Sequence, residues 1–121
     1  KRVLEYGGAL GYNLQQLKAQ ADVSSMIEPS DIGREIALSK GIRSYSSADE
    51  IKGQMFDIVL CRHVLEHISD PLKALREMNS LLVERGRLIL VLPIEKHNLK
   101  VDENDILIII CTHGTRKPFQ T

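Results

Sequence analysis

The sequence predicts an α/β fold in which helices cover both faces of a doubly wound, mostly parallel sheet. Two observations support this prediction. Apolar segments typical of strands alternate with segments whose apolar residues recur at helical spacing. The strand-like segments are apolar at nearly every position, as expected when helices cover both faces of a parallel sheet. Ligands of such sheets bind beyond the carboxyl ends of the strands, so the turns that follow the strands are the candidate site.

The first half of the chain contains three strand-like and two helix-like segments. In order, they are a strand at 3–6, a helix with Leu10, Leu14 and Leu17, a strand at 22–28, a helix with Ile32, Ile36, Ala37 and Leu38, and a weak strand at 42–45. Pro29 ends the second strand, and Ser30 or Asp31 can cap the helix that follows. Gly41 ends that helix.

The second half begins with the strongest strand signal in the chain. The predicted elements are a strand at 56–61, a helix from Pro71 with Leu72, Leu75, Met78 and Leu82 on its buried face, a strand at 87–93 and a polar loop at 94–105. Asp70 is the expected N-cap, because a carboxylate accepts from the first helical N–H groups and proline suits the first turn. Gly86 is expected to end the helix.

Composition narrows the classes of protein to consider. The 121 residues suffice for one domain, and 43% of them are hydrophobic. Because 16 basic residues balance 16 acidic ones, neither a nucleic-acid partner nor a membrane partner is expected. Cys61 and Cys111 are isolated in apolar segments, which indicates buried free thiols. Without a signal peptide or a membrane-spanning segment, we expect a cytoplasmic protein.

A glycine-rich turn and an acid at the end of the next strand form the main candidate site. Gly7, Gly8 and Gly11 follow the first strand and let a ligand approach the backbone, and the helix start offers N–H donors. Glu28 ends the second strand, where a carboxylate can accept from both hydroxyls of a ribose. A purely structural turn and a solvated glutamate remain alternatives. The glycines do not follow G-x-G-x-x-G, and Glu5 before them also argues against a nicotinamide cofactor.

Three segments in register resemble the class I S-adenosylmethionine-dependent methyltransferases. Residues 3–11, V-L-E-Y-G-G-A-L-G, resemble their first motif, V-L-D/E-x-G-x-G-x-G. F-D-I-V at 56–59 and V-L-E-H-I-S-D-P at 64–71 are similar to their fourth-strand motif. L-L-V-E-R-G-R-L at 81–88 is similar to the approach to their fifth strand. The resemblance covers residues 1 to about 95 and implies an incomplete Rossmann-like sheet with about five family strands.

The resemblance also implies roles for individual residues. Those expected to bind S-adenosyl-L-methionine are Glu5, Tyr6, Gly7, Gly8, Ala9, Gly11, Asn13, Glu28, Pro29, Ser30, Ser47, Ala48, Asp49, Cys61, Arg62 and His63. Within this set, the glycine turn surrounds the methionine part, Glu28 holds the ribose, and residues 47–49 lie beside the adenine. Two positions depart from the family pattern: Ala9 replaces a usual glycine, and Ser47 stands where an aspartate is frequent.

The expected reaction is methyl transfer to a small-molecule acceptor, with His63 or His67 as a candidate base. A structural role for either histidine is an equal alternative. A second alternative is a cofactor-binding fragment without turnover. A remote one is a zinc metalloprotease, because His63-x-x-Glu66-His67 matches H-x-x-E-H. Asp70 and Pro71 restart a helix so soon after the strand that little continuous helix is available, so no metal site is expected.

Residues 1–105 are expected to form the methyltransferase core, lacking its natural N-terminal lead-in because the chain begins within a strand. Residues 106–121 form an atypical tail, for which we predict a shifted reading frame. One permitted back-translation, read from its third base, gives I-N-H-H-L-Y-T-W-N-P, which is similar to the family's I-N-H-H-L-Y-T-W-x-P. A genuine sixth strand at 106–111 is the alternative, because the segment is apolar and β-branched. Sequencing the gene tests the prediction, which fails if the offset frame encodes nothing of this kind.

Overall fold

The computed structural model describes residues 1–8, 11–17, 20–62, 64–93 and 106–112. Within them, six strands form one sheet in the order β3-β2-β1-β4-β5-β6. The strands are β1 (Arg2–Tyr6), β2 (Val23–Ile27), β3 (Arg43–Tyr45), β4 (Phe56–Arg62), β5 (Leu82–Pro93) and β6 (Ile106–Thr112). The first five are parallel and β6 is antiparallel to β5. The predicted fold class is therefore confirmed.

The helices begin where the sequence places their capping residues. The α-helices are α1 (Tyr12–Leu17), α2 (Asp31–Ser39) and α3 (Pro71–Ser80), and two 3₁₀ helices span Ala48–Ile51 and Leu65–His67. The Ser30 hydroxyl accepts from the Gly33 N–H at 3.3 Å, and the Asp70 carboxylate accepts from the Lys73 N–H at 3.1 Å. Both bonds satisfy N–H groups that a helix start leaves without an intrahelical partner.

Two clusters of buried residues lie on opposite faces of the sheet. One contains Val3 of β1 together with Leu14 of α1 and Ala37 of α2. The other contains Leu4, the next residue of β1, together with Ala74 and Met78 of α3. Because adjacent residues of a strand point to opposite faces, this division places α1 and α2 over one face and α3 over the other.

The predicted buried face of α3 is partly wrong, because Leu72 is 56% exposed. In α2, where the spacing predicts only a helix, Ile32 and Leu38 are 69% and 57% exposed. Helical spacing identifies a face of a helix, but how much of that face is buried depends on the width of the neighbouring layer. The buried residues of α3 are Ala74 and Met78.

The end of α3 also differs from the prediction. The helix ends at Ser80, and Leu82 already belongs to β5, so Gly86 does not end the helix. The pairing between β4 and β5 shifts register between Phe56 and Ile58, as at a β-bulge, and Arg85 has a φ of 65°. A side chain at Gly86 would begin 2.8 Å from the Val83 carbonyl oxygen, so this irregular segment needs a glycine.

The tail residues 106–112 form an edge strand. Ile110 pairs with Ile89 of β5 and is 61% exposed. The strand does not distinguish a native segment from a shifted reading frame, since an apolar, β-branched segment pairs with an open sheet edge whatever its origin. The predicted loop at 94–105 lies outside the described residues. No helix in the described part of the chain is long and apolar enough to cross a membrane.

The two cysteines differ in environment, which corrects the expectation that both are buried. Cys61 of β4 is 1% exposed, whereas Cys111 lies exposed on the edge strand β6. Burial raises the pKa of the Cys61 thiol to about 11, so the reactive thiolate is disfavoured there.

In the folded protein at about pH 8, we expect iodoacetamide to label Cys111 at least about tenfold faster than Cys61. Peptide mass spectrometry of timed samples measures both rates. In urea the two rates should converge, which controls for differences between the peptides. Equal rates in the folded protein would show that the core around Cys61 is open.

Candidate functional site

The carboxyl ends of β1, β2 and β3 meet at one edge of the sheet. The Gly7 N–H donates to the Ile27 carbonyl oxygen at 2.8 Å, which joins the turn after β1 to the end of β2. The Glu28 N–H donates to the Tyr45 carbonyl oxygen at 2.7 Å, which joins the end of β2 to the end of β3. These bonds hold the three following turns side by side, where ligands of parallel sheets bind.

The turn after β1 needs glycine for two separate reasons. Gly7 and Gly11 have φ of 80° and 82°, in the left-handed region that other residues rarely adopt. A Cβ at Gly7 would also lie 2.6 Å from Val64 Cγ2, and one at Gly8 would lie 2.8 Å from Met26 Sδ. Side chains from two other segments therefore already fill the space that a Cβ in this turn would need.

Glu5 lies beneath this turn. Its side chain is 2% exposed, and a Cβ built at Gly8 would lie 3.5 Å from its Oε1 atom. Burying a carboxylate is strongly unfavourable unless it is paired or hydrogen bonded. Its position places a buried carboxyl group directly under the glycine turn.

Glu28 belongs to a tightly bonded turn between β2 and α2. Its Oε2 accepts from the Ser30 N–H at 2.8 Å. Arg34 fixes the same turn, because its Nη1 donates to the carbonyl oxygens of Glu28 and Pro29 at 2.8 and 2.7 Å. A carboxylate offers about four lone-pair positions, so the bond from Ser30 is compatible with accepting from a ligand as well.

Two hydrogen bonds from Ser46 to Glu50 fix the conformation of the segment after β3. The Ser46 N–H donates to Glu50 Oε1 at 3.0 Å, and the Ser46 hydroxyl donates to the same oxygen. These bonds lower the pKa of Glu50. Ser47 is exposed and extended ahead of the 3₁₀ helix, and Ala48 is buried at its start. Asp49 is exposed on that helix.

A cavity of about 190 Å³ opens among these turns. Its described lining comes from the ends of β1, β2 and β3, the segment after β4, and α3: Tyr6, Gly7, Ile27, Pro29, Ser46, Ser47, Ala48, Val64 and Glu77. Five residues of the sequence-predicted site meet here, namely Tyr6, Gly7, Pro29, Ser47 and Ala48. The volume is below the roughly 300–1,000 Å³ of a whole small-molecule site, so it suits one ring-sized part of a ligand.

Other predicted site residues do not line this cavity. Cys61 is buried in the core. Arg62, the last residue of β4, and His67, in the segment after it, are exposed. Ala9 and His63 lie outside the described residues, as does the side chain of Asn13.

Four lining residues were not singled out from the sequence. Val64, Ile27 and Ser46 adjoin predicted positions, so proximity to the motifs could have suggested them. Glu77 lies in α3 between the motifs at 64–71 and 81–88, and neither motif includes it.

The H-x-x-E-H segment does not form a continuous helix. β4 ends at Arg62, a 3₁₀ helix spans only Leu65–His67, and α3 begins at Pro71. His63 lies outside the described residues. Two histidines at i and i+4 share a face only along an α-helix, so this geometry does not favour a zinc site. Among the described residues, no group of three or more His, Cys, Asp or Glu side chains could hold a metal ion.

We therefore expect the purified protein to contain no stoichiometric zinc. Elemental analysis of protein dialysed without chelator measures this directly. His67→Ala serves as the matched sample. One zinc per chain in the parent protein that is lost in the variant would overturn the expectation and support the metalloprotease alternative.

Comparisons with known proteins identify the family of the chain. A methyltransferase-domain family model matches residues 1–107, so the chain belongs to that family. A search of curated proteins found no match. Among solved structures, the YcgJ protein from Bacillus subtilis is 27% identical with a TM-score of 0.69, over 80% of this chain and 46% of that one.

Two further structures indicate how much the fold alone implies. A SAM-dependent methyltransferase from Thermotoga maritima, described as a "possible histamine N-methyltransferase", is 28% identical with a TM-score of 0.64, over 75% of this chain and 44% of that one. The [4+2]-cyclase SpnF is 19% identical with a TM-score of 0.68, over 79% of this chain and 40% of that one. The latter similarity shows the fold alone, and a shared fold does not fix the reaction. This chain spans less than half the length of these structures.

Proposed function

We propose that this chain binds S-adenosylmethionine at the carboxyl edge of β1, β2 and β3 and transfers its methyl group to a small-molecule acceptor. The observation that carries the proposal is the glycine turn at Gly7. Gly7 lines the cavity, its N–H bonds to the Ile27 carbonyl oxygen at the end of β2, and its φ of 80° favours glycine. A turn without side chains brings the main chain after β1 to the cavity wall, where a ligand can contact it.

The surrounding residues fit the parts of this cofactor. In this proposal Glu5, beneath the turn, supplies negative charge for the ammonium group of the cofactor. The whole methionine part is surrounded by Gly7, Gly8, Ala9, Gly11 and Asn13. Glu28 accepts from the ribose hydroxyls, on the turn that Pro29 and Ser30 complete. The adenine lies against Ser47, Ala48 and Asp49. The described cavity walls Ile27, Pro29, Ala48 and Val64 are apolar and suit a flat ring.

The bound cofactor supplies an electrophilic methyl group on its sulfonium sulfur. The chain's own part is to hold that group beside the acceptor and to exclude water, and positioning of this kind provides much of the catalysis of group transfer. Cys61, Arg62 and His63 would lie near the methyl group at the end of β4. His63 or His67 can take a proton from an acceptor hydroxyl or enol.

A second candidate is a cofactor-binding fragment without turnover. It is favoured by one observation, namely that the chain spans 46% of the YcgJ structure and 44% of the Thermotoga maritima methyltransferase. Under this alternative the glycine turn and Glu28 bind the cofactor as proposed, but an acceptor is not held beside it.

Calorimetric titration with S-adenosylmethionine and S-adenosylhomocysteine, followed by a turnover assay, separates the two candidates. The assay supplies cofactor with a radiolabelled methyl group together with a small-metabolite extract. Binding with label in the small-molecule fraction supports methyl transfer. Binding without label supports the fragment alternative, and absence of binding overturns both.

A further inference from the structure

One carboxylate in the cavity has no role in the site described above. Glu77 comes from α3 and lines the same cavity as Ser47 and Ala48, which flank the proposed adenine position. It is half-buried, and it is the charged residue among the described residues that line the cavity. The apolar walls leave few other groups that could hydrogen bond to a ring edge.

Tyr6 holds this carboxylate in place. The Tyr6 hydroxyl donates to Glu77 Oε2 at 3.3 Å, and both residues line the cavity. Burial and the neighbouring Glu77 carboxylate raise the pKa of Tyr6 to about 12, so the phenol keeps its proton and remains a donor. Because the bond from Tyr6 reaches Oε2, Oε1 is the oxygen available to a ligand.

An ionised carboxylate only accepts hydrogen bonds. A ring edge facing Glu77 must therefore present a donor, such as an exocyclic amino group. A carbonyl oxygen in the same place would set two acceptors against each other and leave both without a partner in a half-buried site. Glu77 thus favours an aminopurine over an oxopurine, a distinction that the apolar walls do not make.

We propose that Glu77 is a specificity-determining residue that recognises the exocyclic amino group of the cofactor's adenine, with Tyr6 as its positioning residue. This inference rests on the proposed cofactor-binding function. It assigns to α3 a recognition role within the cavity, where Ser47 is neutral, Glu50 is engaged by Ser46, and Asp49 is not among the described lining residues.

The test compares S-adenosylhomocysteine with S-inosylhomocysteine, in which an oxo group replaces the amino group. For the parent chain, calorimetry should give about a ten- to hundredfold preference for the adenine compound, the range of one hydrogen bond to a charged group. Glu77→Gln should reduce this preference to within about threefold, because an amide can present either an acceptor or a donor. Tyr6→Phe should reduce it partly.

Glu84→Gln is the matched control, because Glu84 is an exposed acid in the irregular segment of β5. It should keep the parent preference, and circular dichroism should show that all variants are folded. If the parent binds both compounds equally, or if Glu77→Gln keeps the full preference, the inference is wrong while the proposed function stands. If the parent binds neither compound, the proposed function fails and the inference falls with it.

Discussion

Glu28→Ala is expected to weaken binding of S-adenosylmethionine by about ten- to a hundredfold. The loss follows from removing hydrogen bonds between ribose hydroxyls and a charged acceptor, which contribute about 1.5–3 kcal/mol. Glu28→Gln should lose less, because the amide oxygen still accepts. Calorimetric titration of both variants against the parent measures the effect.

Glu28 also accepts from the Ser30 N–H at 2.8 Å, so the substitution removes a bond within the turn as well. A fall in affinity through the turn alone would be accompanied by a lower Tm, which thermal denaturation without ligand detects. Glu35→Ala on the exposed face of α2 is the matched control and should change neither quantity. Unchanged affinity in Glu28→Ala would refute the ribose assignment.

Most of the fold is predictable because its determinants are local. The apolar residues of β4 predict a strand at 56–61, and the structure places it at Phe56–Arg62. The caps of α2 and α3 depend on side chains within three residues of the N–H groups that they accept from. Such short-range signals are complete in the sequence before any tertiary contact forms.

The errors arise where a neighbouring element decides the outcome. Leu72 has the right spacing for the buried face of α3 but is exposed in the first turn of that helix, and burial begins at Ala74. Gly86 resembles a helix terminator, yet the pairing of β5 with β4 places it in an irregular segment. A sequence pattern identifies the residue with unusual backbone needs, but the register of two distant strands determines which element uses it.

The residues of the candidate site divide in the same way, into those that a local pattern predicts and those that a distant element determines. Gly7, Pro29 and Ser47 could be predicted, because turns that directly follow parallel strands converge at one edge of the sheet. Glu77 could not, because it reaches the cavity from the middle of α3 and meets Tyr6, which is 71 positions away in the sequence. Contacts of that range depend on how a helix is rotated over the sheet, which no local pattern encodes.

Gly7→Ala is expected to destabilise the folded chain far more than the same change at another left-handed glycine. A non-glycine residue in that region loses roughly 1–2 kcal/mol of stability. At Gly7, where φ is 80°, the new Cβ would also lie 2.6 Å from Val64 Cγ2. Overpacking of this kind adds about 1–3 kcal/mol. The free energy of unfolding should therefore fall by about 2–5 kcal/mol, or Tm by at least about 8 °C.

Gly53→Ala isolates the steric part of this effect. Its φ of 88° imposes the same backbone strain, but nothing lies within 4 Å of its added Cβ. We expect this control to lose only about 1–2 kcal/mol in urea denaturation. Val64→Ala removes the colliding methyl groups, so combining it with Gly7→Ala should recover part of the loss and give a coupling energy of about 1 kcal/mol or more. If Gly7→Ala and Gly53→Ala are equally destabilising, Val64 does not pack against the turn as the structure shows.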